Sequence, residues 1–159
     1  RTYMEEMKLR ETPDYALLAS QLEALCDGVE YDITNLANAS ALLYDALPEL
    51  NWAGFYLFRD GALLLGPFQG KPACTRIAMG KGVCGTAAAR GETVRVENVH
   101  EFPGHIACDC ASNSEIVIPI YKDQALYGVL DIDSPKLSRF SKEDEEGLLQ
   151  FVHVLENYL

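Results

Sequence analysis

The chain predicts an α+β fold built on a mostly antiparallel sheet of five or six strands. Three observations carry this. Apolar residues recur at helical spacing near both ends of the chain. Between them lie short β-rich runs punctuated by turn dipeptides, Asp60-Gly61 and Asp123-Gln124. A capping signature, Ser141-Lys142-Glu143-Asp144, then opens a closing helix. The resulting order is two helices, a hairpin, a crossover helix, two more strands and a last helix. Terminal helices would cover one sheet face, and the crossover helix with a long loop would cover the other, leaving a pocket.

The elements follow in order. Residues 1–13 are polar, end at Pro13 and predict an irregular start. Tyr15, Leu17, Leu18, Leu22 and Leu25 mark the first helix, with Gly28 as its stop. The second starts near Asp32, carries Leu36, Ala39, Leu42, Leu43 and Leu47, and ends at Pro48. Asn51 to Arg59, rich in aromatics, reads as a strand, and Ala62 to Leu65 as its hairpin partner, broken by Gly66-Pro67. A short strand follows at Thr75–Ala78, a tight turn at Gly80 and Gly82, a helix over Val83–Arg90, and a short strand through Val94 and Val96. Glu115–Tyr121 and Ala125–Ile132 are the last strands. Leu148, Phe151, Val152 and Leu155 share one face of the final helix.

At 159 residues the chain predicts one domain, 1–159, large enough for a sizeable core. A formal charge of −11 without any basic run argues against a nucleic-acid surface. No apolar stretch approaches a membrane span, and no secretory signal pattern opens the sequence. The five cysteines, Cys26, Cys74, Cys84, Cys108 and Cys110, are an odd set with no small-scaffold spacing. A reducing compartment, the cytoplasm, is the expectation. There cysteines are inert, metal-bound or catalytic.

The segment from Phe102 to Pro119 concentrates reactive side chains. His105, Cys108 and Cys110 fall within six positions, among Asp109, Ser112, Asn113, Ser114 and Glu115. A thiol in a polar loop brings oxidation risk and little packing gain, so this segment reads as an active centre. Cys84, at a helix start, is a second candidate thiolate, because unpaired N–H groups and the helix dipole lower thiol pKa values there. Its alternative is a small residue packed between helix and sheet. Cys74 alone says little, and Cys26 reads as packing. Asp131 and Asp133 alternate with Ile132 on a strand and so share a face. Together with Glu115 they suit a general acid, an ammonium site, or a solvated strand end. Trp52 and Tyr56 also share a face, as core or as a ligand wall.

Thiols with acids, and no phosphate-cradling loop, suggest two-electron redox at sulfur. Zinc held by His105, Cys108 and Cys110 is the rival, although a Cys-x-Cys pair with a histidine three residues earlier is not a standard zinc spacing.

These residues sit in blocks that together resemble one family. The blocks are Asn-Trp-Ala-Gly-Phe-Tyr (51–56), Leu-Gly-Pro-Phe-Gln-Gly-Lys (65–71), Gly-Val-Cys-Gly-Thr-Ala (82–87), Gly-His-Ile-Ala-Cys-Asp (104–109), Ser-Asn-Ser-Glu-Ile-Val (112–117) and Gly-Val-Leu-Asp-Ile-Asp-Ser (128–134). They resemble the free methionine-(R)-sulfoxide reductases, whose fold is that of a GAF domain. The resemblance implies a GAF-like catalytic domain in which Cys108 is the nucleophile, Cys74 the resolving partner and Cys84 a third redox cysteine. It implies that Trp52, and more weakly Tyr56, line the substrate pocket, and that Glu115, Asp131 and Asp133 hold the substrate ammonium and protonate or polarise the sulfoxide. It further implies free methionine (R)-sulfoxide as substrate, a thioredoxin-like reductant, no metal or organic cofactor, and a homodimer through the helices. Cys110 departs from the pattern, which has a small apolar residue there; it is either a competitor for the Cys108 sulfenic acid, which would change the disulfide, or a bystander. The other open reading is a ligand sensor, the role of many GAF domains, which would bind without turnover.

Overall fold

A computed structural model describes Thr2, residues 13–106 and residues 111–159. The irregular start expected over 1–13 therefore lies outside the described residues, save Thr2 and Pro13. Helix α1 spans Tyr15–Cys26, and the Asp14 carboxylate caps it by accepting the Leu17 N–H at 3.0 Å. Its buried stripe is Tyr15, Leu18, Ala19, Leu22 and Cys26. Leu17 and Leu25, expected on that stripe, are exposed, because the 3.6-residue period turns them away once Ala19 and Cys26 take the contact face. Helix α2 spans Asp32–Ala46 and buries Leu36, Ala39 and Leu43.

Six strands follow: β1 (Trp52–Arg59), β2 (Ala62–Gly70), β3 (Arg76–Ala78), β4 (Val94–Val96), β5 (Ser114–Lys122) and β6 (Ala125–Ser134). They pair in the order β3-β2-β1-β6-β5-β4, every pair antiparallel. Both hairpin dipeptides have positive φ at each central residue, at Asp60-Gly61 and Asp123-Gln124, the left-handed backbone that suits the strand twist. The break expected at Gly66-Pro67 does not end β2. The pairing with β1 instead shifts register between Gly54 and Tyr56, so β2 absorbs its proline in a bulge and continues to Gly70.

Helix α3 (Gly82–Arg90) crosses between β3 and β4, and helix α4 (Lys142–Glu156) closes the chain. The Ser141–Asp144 capping box is present in both directions. Asp144 also pairs with Arg139 at 3.1 Å and accepts the Tyr15 hydroxyl at 2.5 Å, which joins α1 to α4. The Tyr15 ring lies over Gly147, where a Cβ would come within 2.2 Å of it.

The sheet separates two apolar layers. Ala53, Phe55, Ile116, Ile118, Ile120, Leu130 and Ile132 point to α1, α2 and α4. Trp52, Tyr56, Val117 and Val129 point the other way, toward Val83, Cys84, Ala87 and Ala88 of α3. The first layer is dry core. The second is interrupted by polar groups, and there the pocket forms.

Candidate active site

Strand alternation and register assemble the site. Trp52 of β1 is paired with Asp133 of β6, and Asp133 with Glu115 of β5. These three therefore form one row across the sheet. One step along, Gly54, Asp131 and Val117 form the next. Period-two alternation puts Trp52, Tyr56, Asp131, Asp133 and Glu115 on the same face. Gly54 is required there: a Cβ would lie 2.3 Å from the Phe68 Cβ. Its absence lets Phe68 stack on Trp52 at 5.1 Å between ring centroids, with Tyr56 at 5.8 Å from the same indole.

The pocket is lined by Trp52, Tyr56, Cys84, Glu115, Asp131 and Asp133, joined by Lys81, His105, Ile106 and Ser112. It is a cavity of about 50 Å³. Glu115, Asp131 and Asp133 are 7%, 6% and 9% exposed. Three carboxyls so deeply buried cannot all ionise cheaply. Burial, then the charges of Asp131 and Asp133, push Glu115 well above the usual carboxylate range. Burial also raises Asp131, against hydrogen bonds from Glu115, Cys84 and Asp133 that favour its ionised form. Asp131 Oδ1 is buried without a hydrogen-bond partner.

Cys84 comes in on the first turn of α3, its Sγ 4.0 Å from Glu115 Oε2. The low thiol pKa expected at this helix start is not found. Burial first, then Asp131, Glu115 and Asp133, push the thiol well above its ordinary value. The dipole of one short helix is outweighed by desolvation and three neighbouring acids.

Trp52 and Tyr56 do more than form a wall. The Trp52 indole N–H donates to the Lys71 carbonyl at 3.1 Å, and the Tyr56 hydroxyl donates to the Cys74 carbonyl at 2.9 Å. Both polar tips thus hold the 71–74 segment, whose Ala73 lines the pocket. Cys74 is disulfide-bonded, whereas Cys26 and Cys84 are free thiols. Cys26 sits in the helix-side core at 0% exposure, as the packing reading expected. Cys108 and Cys110 lie outside the described residues, and so do two of the three side chains of the His105, Cys108 and Cys110 zinc reading.

Sequence reasoning passed over Lys81, and it placed Ile106 and Ser112 inside the active-centre segment without giving either a role. Ser112 is the more instructive. It is buried in a polar loop, and its hydroxyl accepts from Asn51 Nδ2 at 2.9 Å. His105 stands edge-on to His100 at 6.2 Å, and burial and that neighbour hold its pKa below the usual value. His100 Nε2 lies 2.8 Å from Asn113 Oδ1, while Asn113 Nδ2 donates to the Pro135 carbonyl at 2.7 Å. The amide's orientation makes its oxygen the acceptor, so His100 carries its proton on Nε2. Among the described residues, no helix is long and apolar enough to cross a membrane.

The GAF domain family matches residues 18–159. Protein YtsP of Bacillus subtilis is 56% identical over 99% of this chain and 98% of its own length. The free methionine-R-sulfoxide reductase of Escherichia coli is 55% identical over 95% of this chain and 92% of its own. The structure of fRMsr of Staphylococcus aureus in complex with substrate superposes with a TM-score of 0.89 at 49% identity, covering 93% of this chain and 97% of that one. With the family model covering residues 18–159 and a free methionine-R-sulfoxide reductase 55% identical over 95% of this chain, the chain belongs to the GAF domain family and, within it, to the group of the free methionine-R-sulfoxide reductases.

Proposed function

We propose that this chain reduces free L-methionine (R)-sulfoxide to L-methionine at a cysteine thiol. The observation that carries the reading is the convergence of Trp52 with three buried carboxyls in one small pocket, in a chain 55% identical to the Escherichia coli protein of that name. The carboxyls suit an α-ammonium group, and the indole suits the methyl-sulfoxide end. The partnerless Asp131 Oδ1 is the natural acceptor of an ammonium hydrogen. Glu115, held above the usual carboxylate range, keeps a proton to deliver to the sulfoxide oxygen.

In the mechanism we infer, the Cys108 thiolate attacks the sulfoxide sulfur. The carboxyl protonates the oxygen, and that oxygen passes to Cys108, leaving methionine and a Cys108 sulfenic acid. The Cys74 thiol condenses with it, releasing water and forming a disulfide. A thioredoxin-like dithiol then reduces that disulfide, which suits a reducing compartment such as the cytoplasm. A buried, protonated Cys84 takes no part in the first step. The small cavity favours a free amino acid over a polypeptide. A homodimer through the helices belongs to the same reading, and the exposed Leu17 and Leu25 of α1 and Ile33 of α2 support it.

The test is methionine formation from chirally pure free (R)- and (S)-sulfoxides with excess dithiol, in wild type, Cys108→Ser and Cys110→Ser. Activity on the R form alone, abolished in Cys108→Ser and kept in Cys110→Ser, is expected. Binding without turnover in wild type would favour the ligand-sensor reading, and loss in Cys110→Ser alone would exchange the two thiols' roles.

A further inference from the structure

We propose that Cys84, Glu115 and Asp131 form a site for a thiophilic divalent cation such as Zn²⁺, and that this cation and an amine-bearing ligand exclude one another from the pocket. The three donors come from α3, β5 and β6 and are 4%, 7% and 6% exposed. One ligand atom from each lies within 4.8 Å of the other two. Tetrahedral zinc with one sulfur and two oxygen ligands sets S···O near about 3.6 Å and O···O near about 3.4 Å. The Cys84 Sγ to Glu115 Oε2 separation is already 4.0 Å, and rotamer adjustments that draw each remaining separation in by at most about 1.4 Å close the set.

A cluster of acids alone would not single out a cation. The second observation is Asp131 Oδ1, buried, without a hydrogen-bond partner, and carried by a residue that lines the cavity. The thiol decides the class of ion. Calcium and magnesium take six to eight and about six oxygen ligands respectively, more than three carboxyls supply without several waters. A thiolate with two carboxylates suits zinc and its relatives. The fourth position falls to water or to Asp133, which is hydrogen-bonded to both carboxyls. Binding requires the thiol and Glu115 to lose their protons to solvent, so affinity rises with pH. The mutual exclusion rests on the proposed function, because an ammonium group would claim the same Asp131 oxygen. The cation site itself does not.

The probe is Co²⁺, titrated spectroscopically into the full chain kept reduced by a phosphine. Wild type and the triple variant Cys74→Ser/Cys108→Ser/Cys110→Ser are expected to develop a thiolate-to-cobalt charge-transfer band that Zn²⁺ abolishes. Cys84→Ser is expected to lack the band and to bind Zn²⁺ about 100-fold more weakly or worse, since loss of a direct ligand exceeds the 10–100-fold of an outer-shell change. Asp131→Asn preserves shape, and it should weaken Co²⁺ at least about tenfold with thermal unfolding of the metal-free protein unimpaired. A band that persists in Cys84→Ser, disappears in the triple variant or never forms in wild type overturns the site. A band unaffected by millimolar methionine overturns the exclusion alone. Neither readout uses turnover, so failure of the reductase reading leaves the cation result standing.

Discussion

Tyr56→Phe deletes a single oxygen, and its expected effect separates two jobs for the same ring. The hydroxyl donates to the Cys74 carbonyl at 2.9 Å from a side chain only 2% exposed. Such a bond contributes about 1 kcal/mol net, and leaving its acceptor dry costs up to about 3 kcal/mol. The bond is only part-buried, so the lower figure applies. A tether weakened by about 1 kcal/mol lowers the population of correctly placed Cys74 about fivefold. The assay is a single turnover without reductant, following methionine release and trapping of the sulfenic acid by dimedone. The expected outcome is a methionine burst within about twofold of wild type and a sulfenic acid that survives about fivefold longer. A burst slowed as much as disulfide closure would put the hydroxyl on the substrate and refute the tether. Unchanged lifetimes in both steps would refute it too.

Other substitutions test the frame around the site. Glu115 and Asp131 titrate higher in the folded chain than unfolded, so the native state holds extra protons and stability falls as pH rises through their folded values. Glu115→Gln should flatten that fall by about 1.4 kcal/mol for each pH unit in which only native Glu115 keeps its proton; equal slopes in urea unfolding between pH 5 and 8 would sink the idea. Gly147→Ala puts a methyl 2.2 Å from the Tyr15 ring and should cost about 2 kcal/mol in thermal unfolding, although alanine is the better helix former; a raised Tm would contradict it. Arg139→Met leaves Asp144 buried with only Tyr15 and Ser141 as donors and should cost about 3 kcal/mol by denaturant unfolding, a loss under 1 kcal/mol being the contrary result.

Much of this architecture was legible because local signals agreed with one another. The two hairpin dipeptides, the Ser141–Asp144 box and the alternation of Asp131 and Asp133 each act within a few residues, and each appears in the fold. The misreadings arose where partners distant in sequence decide. Gly66-Pro67 signals a break until β1 is present to pair across a bulge. Leu17 and Leu25 look like core until α2 and α4 select the face of α1 that they bury. The tethering of 71–74 by Trp52 and Tyr56 has no local signature, since nothing near either ring names a carbonyl 18 or 19 residues away.

Cys84 is the most informative case, because the choice between its two readings, thiolate or packed thiol, bears on which thiol reacts. A helix start favours a thiolate by a modest electrostatic term that fades within the first turn. Glu115, Asp131 and Asp133 act at closer range in a desolvated pocket and act the other way. A thiolate at Cys84 would add another negative charge to a group that already keeps protons to reduce its own repulsion. On the proposed function, the burial and mutual repulsion that would suit these carboxyls to hold an ammonium and donate a proton therefore disqualify their nearest sulfur as a nucleophile. A cation reverses that sign, because it neutralises the acids and draws the thiol proton off together. One cluster thus supports two exclusive states: acids and a neutral thiol around an amine, or a thiolate and carboxylates around a metal ion. On the proposed mechanism, this is the physical reason why attack on the sulfoxide does not fall to Cys84.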